Sequence, residues 1–150
     1  MPLMIGDLAA LEMLFRIIGQ GTGGSYPVIP GDTCVLKLYK GGPPITKADS
    51  KGGIIESDGT GYSPKVLSPG NWGIYMYRVG TGDTNMASYA QQTFTYTSAD
   101  SIAGYYITTV KQRGETGDSI LMWREAFNDG PYVIPAGGGM IKVDPKIILG

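Results

Sequence analysis

Residues Ile120 to Val143 read ILMWREAFNDGPYVIPAGGGMIKV, and this stretch decides the fold. Successive side chains of a strand point to opposite sides, so a strand from Ile120 to Phe127 puts Leu121, Trp123, Glu125 and Phe127 on one face. Ile120, Met122, Arg124 and Ala126 share the other. Three large apolar groups make the first of these the core face, with Arg124 and Glu125 placed at the rim near the turn. A turn at Asn128, Asp129 and Gly130 follows, then a short strand from Tyr132 to Ile134. A Gly137-Gly138-Gly139 turn leads into a last strand.

Upstream, the same period of two recurs. From Thr33 to Lys40, Cys34, Leu36 and Leu38 alternate with Val35, Lys37 and Tyr39, which makes Cys34 a core thiol. A strand from Trp72 to Val79 carries Trp72, Ile74 and Met76 on one face and Tyr75 and Tyr77 on the other. Bulk on both faces places it centrally or beneath a neighbouring subunit. After a Gly80-Thr81-Gly82-Asp83 turn, Gln92 to Thr97 alternates Gln92, Phe94 and Tyr96 with three threonines, as a strand with one wet face does. Ile102 to Val110 is a further strand, Lys111 to Asp118 a polar hairpin turn, and Lys146 to Leu149 the last short strand. Between them, Gly41 to Pro64 is the least regular region, offering only Ile45, Ile54, Ile55 and Tyr62 to bury, and is expected to become ordered against neighbours.

The one helix predicted covers residues 7 to 18. Asp7 is a good N-cap, Gly19 a good residue to end on, and Leu11, Leu14, Phe15 and Ile18 recur at spacings of three and four. This stripe either caps the end of the sheet domain or docks on another subunit. A glycine- and proline-rich tether from Gly19 to Asp32 joins it to the strands. Strand segments about ten residues apart behind a single helix indicate an all-β fold, a single antiparallel β-sandwich or flattened barrel with one N-terminal α-helix. Residues 1–20 hold the helix and the start of the tether, and residues 21–150 the β-sandwich domain.

Composition limits the chemistry. A chain of 150 residues buries about 70% of its unfolded surface without staples, and a single cysteine forms no intramolecular bridge. The net charge of −1, with twelve scattered basic residues, argues against nucleic-acid binding. Asp7, Glu12 and Arg16 interrupt the apolar N-terminal run, so neither a signal peptide nor a membrane span is expected there. Histidine is absent, which removes the commonest general base and metal ligand together and excludes Ser-His-Asp and Cys-His arrangements. Paired carboxylates around Glu125 remain the main enzymatic option, with no second carboxylate clearly aimed beside it. The turns at Gly21-Thr22-Gly23-Gly24 and Gly80-Thr81-Gly82 lack the lysine of a phosphate-binding loop. Glu56-Ser57-Asp58-Gly59 and Asp83-Thr84-Asn85 offer oxygens for calcium without matching an EF-hand. No enzyme, metal or cofactor is expected.

Three pieces of the chain resemble a diverse family of small virion structural proteins found in the head and tail gene clusters of tailed bacteriophages. They are Leu121-Met122-Trp123-Arg124-Glu125-Ala126-Phe127 with Asp129-Gly130-Pro131-Tyr132 and Ile141-Lys142-Val143-Asp144-Pro145-Lys146-Ile147; Ser88-Tyr89-Ala90-Gln91-Gln92-Thr93-Phe94; and Gly104-Tyr105-Tyr106. The likeness is close over the C-terminal part and extends to the N-terminal half only in layout. The chain departs from the family in the spacing of tryptophan, alanine and glutamate, and in its three-glycine turn. What the resemblance implies is a capsid cement or decoration protein. Such a protein is made in the host cytoplasm and lies on the capsid surface of the virion, as a homo-oligomer bound to the major capsid protein, with no nucleic-acid or membrane partner. Its interface is expected to include Leu11, Leu14, Phe15, Ile18, Ile54, Ile55, Tyr75 and Tyr77. The alternative is a tail-tip or fibre-associated module that binds host glycans through the ten tyrosines and two tryptophans.

Overall fold

A computed structural model of the chain describes residues 34–45, 53–79, 82–109 and 121–149. The described residues form an all-β, antiparallel structure: β1 (Cys34–Gly41), β2 (Ile55–Glu56), β3 (Lys65–Leu67), β4 (Gly73–Val79), β5 (Gly82–Ser88), β6 (Gln92–Tyr96), β7 (Asp100–Ile102), β8 (Gly104–Thr109), β9 (Leu121–Ala126), β10 (Tyr132–Ile134), β11 (Gly139–Val143) and β12 (Lys146–Leu149). The expected helix over 7–18 lies outside the described residues, as do its tether and the 111–118 turn.

The main sheet runs β2-β1-β8-β9, with β3 also paired to β1. In β1 the alternation reads through to packing. Cys34, Leu36 and Leu38 are fully buried on one face, opposite Ile107 and Tyr105 of β8. On the other face Tyr39, Tyr106 and Thr108 are buried too, beside half-buried Val35 and Lys37, so both faces of the β1–β8 pair are largely covered.

A second theme, which shares β8 and β9 with the main sheet, is one long, kinked antiparallel run, with β4 paired outside it to β5. Residues 85–108 run antiparallel to residues 121–149 from Asn85↔Leu149 at one end to Thr108↔Leu121 at the other. This run passes in turn through the β5–β12, β6–β11, β7–β10 and β8–β9 ladders. Each break falls at a proline of the C-terminal arm, because proline has no N–H to give a ladder. Pro145 separates β11 from β12, and its carbonyl accepts from Tyr89 N–H at 2.9 Å. Pro135 opens the turn between β10 and β11, and Pro131 lies between β9 and β10. Opposite Pro131, Ala103 donates instead to Tyr39 O at 2.8 Å and so carries the arm into the main sheet.

The kinks fold four short ladders around one cluster. Phe94 and Tyr96 from β6, Ile141 and Val143 from β11, Ala87 from β5, Ile147 from β12, Ile102 and Ile134 join the β1 and β8 side chains there. Burying a side chain such as Phe94 contributes about 1.5–3 kcal/mol. Thr93, Thr95, Met140 and Lys142 stay on the exposed side, as the period-two pattern requires.

Several details differ from the sequence reading. Residues 82–88, GDTNMAS, form a strand despite weak alternation, because β4 and β12 supply hydrogen bonds on both sides. The strand expected from Ile102 to Val110 is divided at Ala103. A register shift between Ile107 and Thr108 breaks the strict two-face division of β9, and Met122 packs against the core beside Trp123. Trp72 is buried but precedes its strand. The Gly41 to Pro64 region, expected to await a neighbour, is in its described second part held by its own chain. Thr97 N–H donates to Thr60 O at 2.7 Å, and Tyr62 stacks on Phe94 and Tyr96.

Candidate interaction surface

Beyond the end of β1, the chain turns back along itself into β2. Gly41 pairs with Ile55, and at Gly42 a Cβ would approach Gly53 O, Ile54 Cα and an Arg124 nitrogen within 3.0–3.2 Å. Gly42 has φ of +154°, so this position combines an unusual backbone with no room for a side chain. The result is a narrow ribbon, 41–45 against 53–56, at the outer edge of the main sheet. It carries Ile45, 48% exposed, and Ile55, 56% exposed, with Ile54 half-buried. Val66 of β3 is a further exposed apolar residue along the same edge of β1.

Arg124 reaches the ribbon from the far side of the sheet. Its guanidinium lies 4.6 Å over the Tyr39 ring, and Nη1 donates to Pro43 O at 2.9 Å. Next to it stands a polar network centred on Glu56. Lys37 Nζ donates to Oε2 at 3.0 Å, the Tyr106 hydroxyl to Oε2 at 3.2 Å, and the Tyr62 hydroxyl to Oε1 at 3.1 Å. Burial, reinforced by the Glu56 charge, raises both phenols well above the ordinary tyrosine range.

Below the ribbon, Asp100 fixes the chain as it leaves β2. Its carboxylate is 4% exposed, with Oδ2 accepting from Ser57 Oγ at 2.7 Å and Gly59 N–H at 3.1 Å. Oδ1 accepts from Ser101 N–H at 2.8 Å. Ser57 Oγ also lies 2.9 Å from the Tyr96 hydroxyl, which burial pushes up to about 12. Lys40 bridges to Asp58 at the surface; this hydrogen bond raises the lysine and lowers the aspartate.

Glu125, the candidate catalytic carboxylate, is engaged structurally. It accepts from Tyr105 at 2.8 Å and Trp123 Nε1 at 3.2 Å, and pairs with Lys146 at 3.2 Å. Of the candidate calcium turns, Glu56 and Asp58 face lysines, and the backbone of Asp83 to Asn85 lies in the β4–β5 ladder opposite Arg78 to Met76.

Of the residues expected at an interface, the structure brings Ile54 and Ile55 together on the ribbon. Tyr75 and Tyr77 sit elsewhere, on β4 at positions opposite Met86 and Thr84. Leu11, Leu14, Phe15 and Ile18 lie outside the described residues. Sequence reasoning saw Glu56 only as a possible calcium ligand and missed Asp100 and the reach of Arg124; Lys37 lies 19 residues from Glu56, Ser57 43 from Asp100 and Pro43 81 from Arg124. Only the exposed isoleucines beside Gly41-Gly42-Pro43-Pro44 gave a local signal. Compared with protein-family models, curated proteins and solved structures, the chain matches none.

Proposed function

We propose that this protein is a capsid cement protein: a homo-oligomer of β-sandwich form that binds the major capsid protein on the outer face of an assembled phage shell and bridges neighbouring capsomers. The observation that carries the reading is the ribbon, two exposed isoleucines beside glycines and prolines, anchored to a sheet whose β1 and β8 strands bury side chains on both faces. Apolar groups held out from a rigid body suit burial in a joint between other subunits. Binding only to the closed shell then stabilises it by mass action. Low charge and engaged carboxylates favour a structural role over hydrolysis. The three stretches that carry the phage resemblance are also strand partners, since Ser88 to Phe94 lie opposite Ile141 to Lys146, and Gly104 to Tyr106 opposite Arg124 to Ala126.

The glycan-binding alternative finds less support. Tyr62, Tyr96, Tyr105 and Tyr106 hold their hydroxyls in internal hydrogen bonds, and Trp72 is buried. The test is co-sedimentation of purified protein with shells stripped of it, from the particle that carries its gene. Saturable binding at a fixed, high copy number is expected, weakened about tenfold or more by Ile45→Glu with Ile55→Glu. Protein that stays in the supernatant beside intact shells would overturn the reading.

A further inference from the structure

We infer that Arg124 is a positioning residue for the ribbon, a clamp that fixes the orientation in which Ile45 and Ile55 are presented. Its meaning for docking rests on the cement reading; the clamp itself rests on geometry. Arg124 belongs to β9, at the opposite edge of the main sheet from β2. Its side chain must therefore cross the outer face of β8 and β1 to meet Pro43. Along that path the guanidinium covers the buried Tyr39 ring at 4.6 Å and ends in a 2.9 Å hydrogen bond to Pro43 O.

Three properties make this a clamp rather than a surface contact. Arginine is planar and stacks while donating sideways, which lysine cannot do at once. The acceptor is the backbone of the ribbon's root, so the bond fixes the chain and not a mobile side chain. Gly42 leaves space for a guanidinium nitrogen where a Cβ would come within 3.0 Å of it. The β1–β2 ladder has only the pairs Tyr39↔Glu56 and Gly41↔Ile55, interrupted by an irregularity between them. Two pairs alone hold a ribbon weakly. Glu56 is held by Lys37, Tyr62 and Tyr106 on the β2 side. A side chain tying the ribbon's root at Pro43 to the far edge of the sheet adds a constraint on the other strand, and a pre-organised surface loses less entropy on docking.

The experiment is amide hydrogen exchange on the intact protein and on Arg124→Ala and Arg124→Lys. In Arg124→Ala, exchange at Ile54 to Glu56 should quicken about tenfold or more while Thr93 to Thr95 of β6 keep their rates, with lysine intermediate. Unchanged ribbon exchange, or equal acceleration in β6, would show that Arg124 does not position the ribbon. Shell binding forms a separate arm. With wild-type binding established, Arg124→Ala should weaken it about tenfold at an unchanged copy number. Wild-type protein that fails to bind shells refutes the cement reading, while the exchange data still decide the clamp.

Discussion

The hydroxyl of Tyr62 accepts the backbone N–H of Leu38 at 3.1 Å, closing a gap in the edge of the main sheet. β2 covers the end of β1 and β3 covers its start, which leaves Lys37 and Leu38 between them. Ser57 N–H takes the Leu38 carbonyl at 2.9 Å, and the Tyr62 phenol takes the amide. A side chain thus stands in for a strand, with its ring stacked on Phe94 and Tyr96. The edge is blunted against pairing with another chain.

Tyr62→Phe keeps the stacking and removes the plug. Leu38 is fully buried, so its N–H loses its partner away from water. A loss of about 1–3 kcal/mol is expected, read as a lower urea midpoint at unchanged slope. An unchanged midpoint would mean that the gap is filled another way.

Alkaline pH should act through the same residues. Tyr62, Tyr96, Tyr105 and Tyr106 are all raised, chiefly by burial. Each holds its proton more tightly folded than unfolded, so its stabilisation is complete below the unfolded value of about 10 and is lost above it. Tyr96, at about 12, should lose its share between pH 10 and 12. Unfolding followed by denaturant should show stability falling above about pH 10; a flat profile to pH 12 would contradict the burial of these phenols.

Asp100→Asn tests the anchor beneath the ribbon. An amide replaces one acceptor oxygen by a donor, which then faces Ser57 and Gly59 or Ser101. A loss of about 1–3 kcal/mol is expected, with early proteolysis in the 57–62 segment. Wild-type stability would show that the hydrogen bonds to this carboxylate contribute little.

Gly138 has φ of +85°, and a Cβ there would overlap Tyr96 O. Gly138→Ala should therefore be destabilising by more than the ordinary ~1 kcal/mol difference between these residues, whereas Gly137→Ala, with open space around it, should be close to neutral. Equal effects at the two positions would contradict the turn geometry.

Period-two alternation made the strands around Leu36, Phe94 and Ile141 legible, because each buries one face against the common core. It could not reveal β5, where Ala87 is small and the flanking strands decide the conformation. The turns at Asn128 to Gly130 and Gly137 to Gly139 were readable, but that Pro131, Pro135 and Pro145 divide one antiparallel run into four ladders depends on pairing across the molecule. The ribbon's isoleucines were visible as unburied bulk in a loop. Its supports were not, since Arg124 and Pro43 are 81 residues apart and Asp100 and Ser57 are 43 apart. No local pattern encodes such a contact.

Cryo-electron microscopy of the particle that carries this gene bears most directly on the proposed role. Density for this chain is expected on the outside of the shell, in a copy number set by the capsid lattice, with Ile45 and Ile55 buried where capsomers meet. Density confined to the tail, or a shell without this chain, would contradict it.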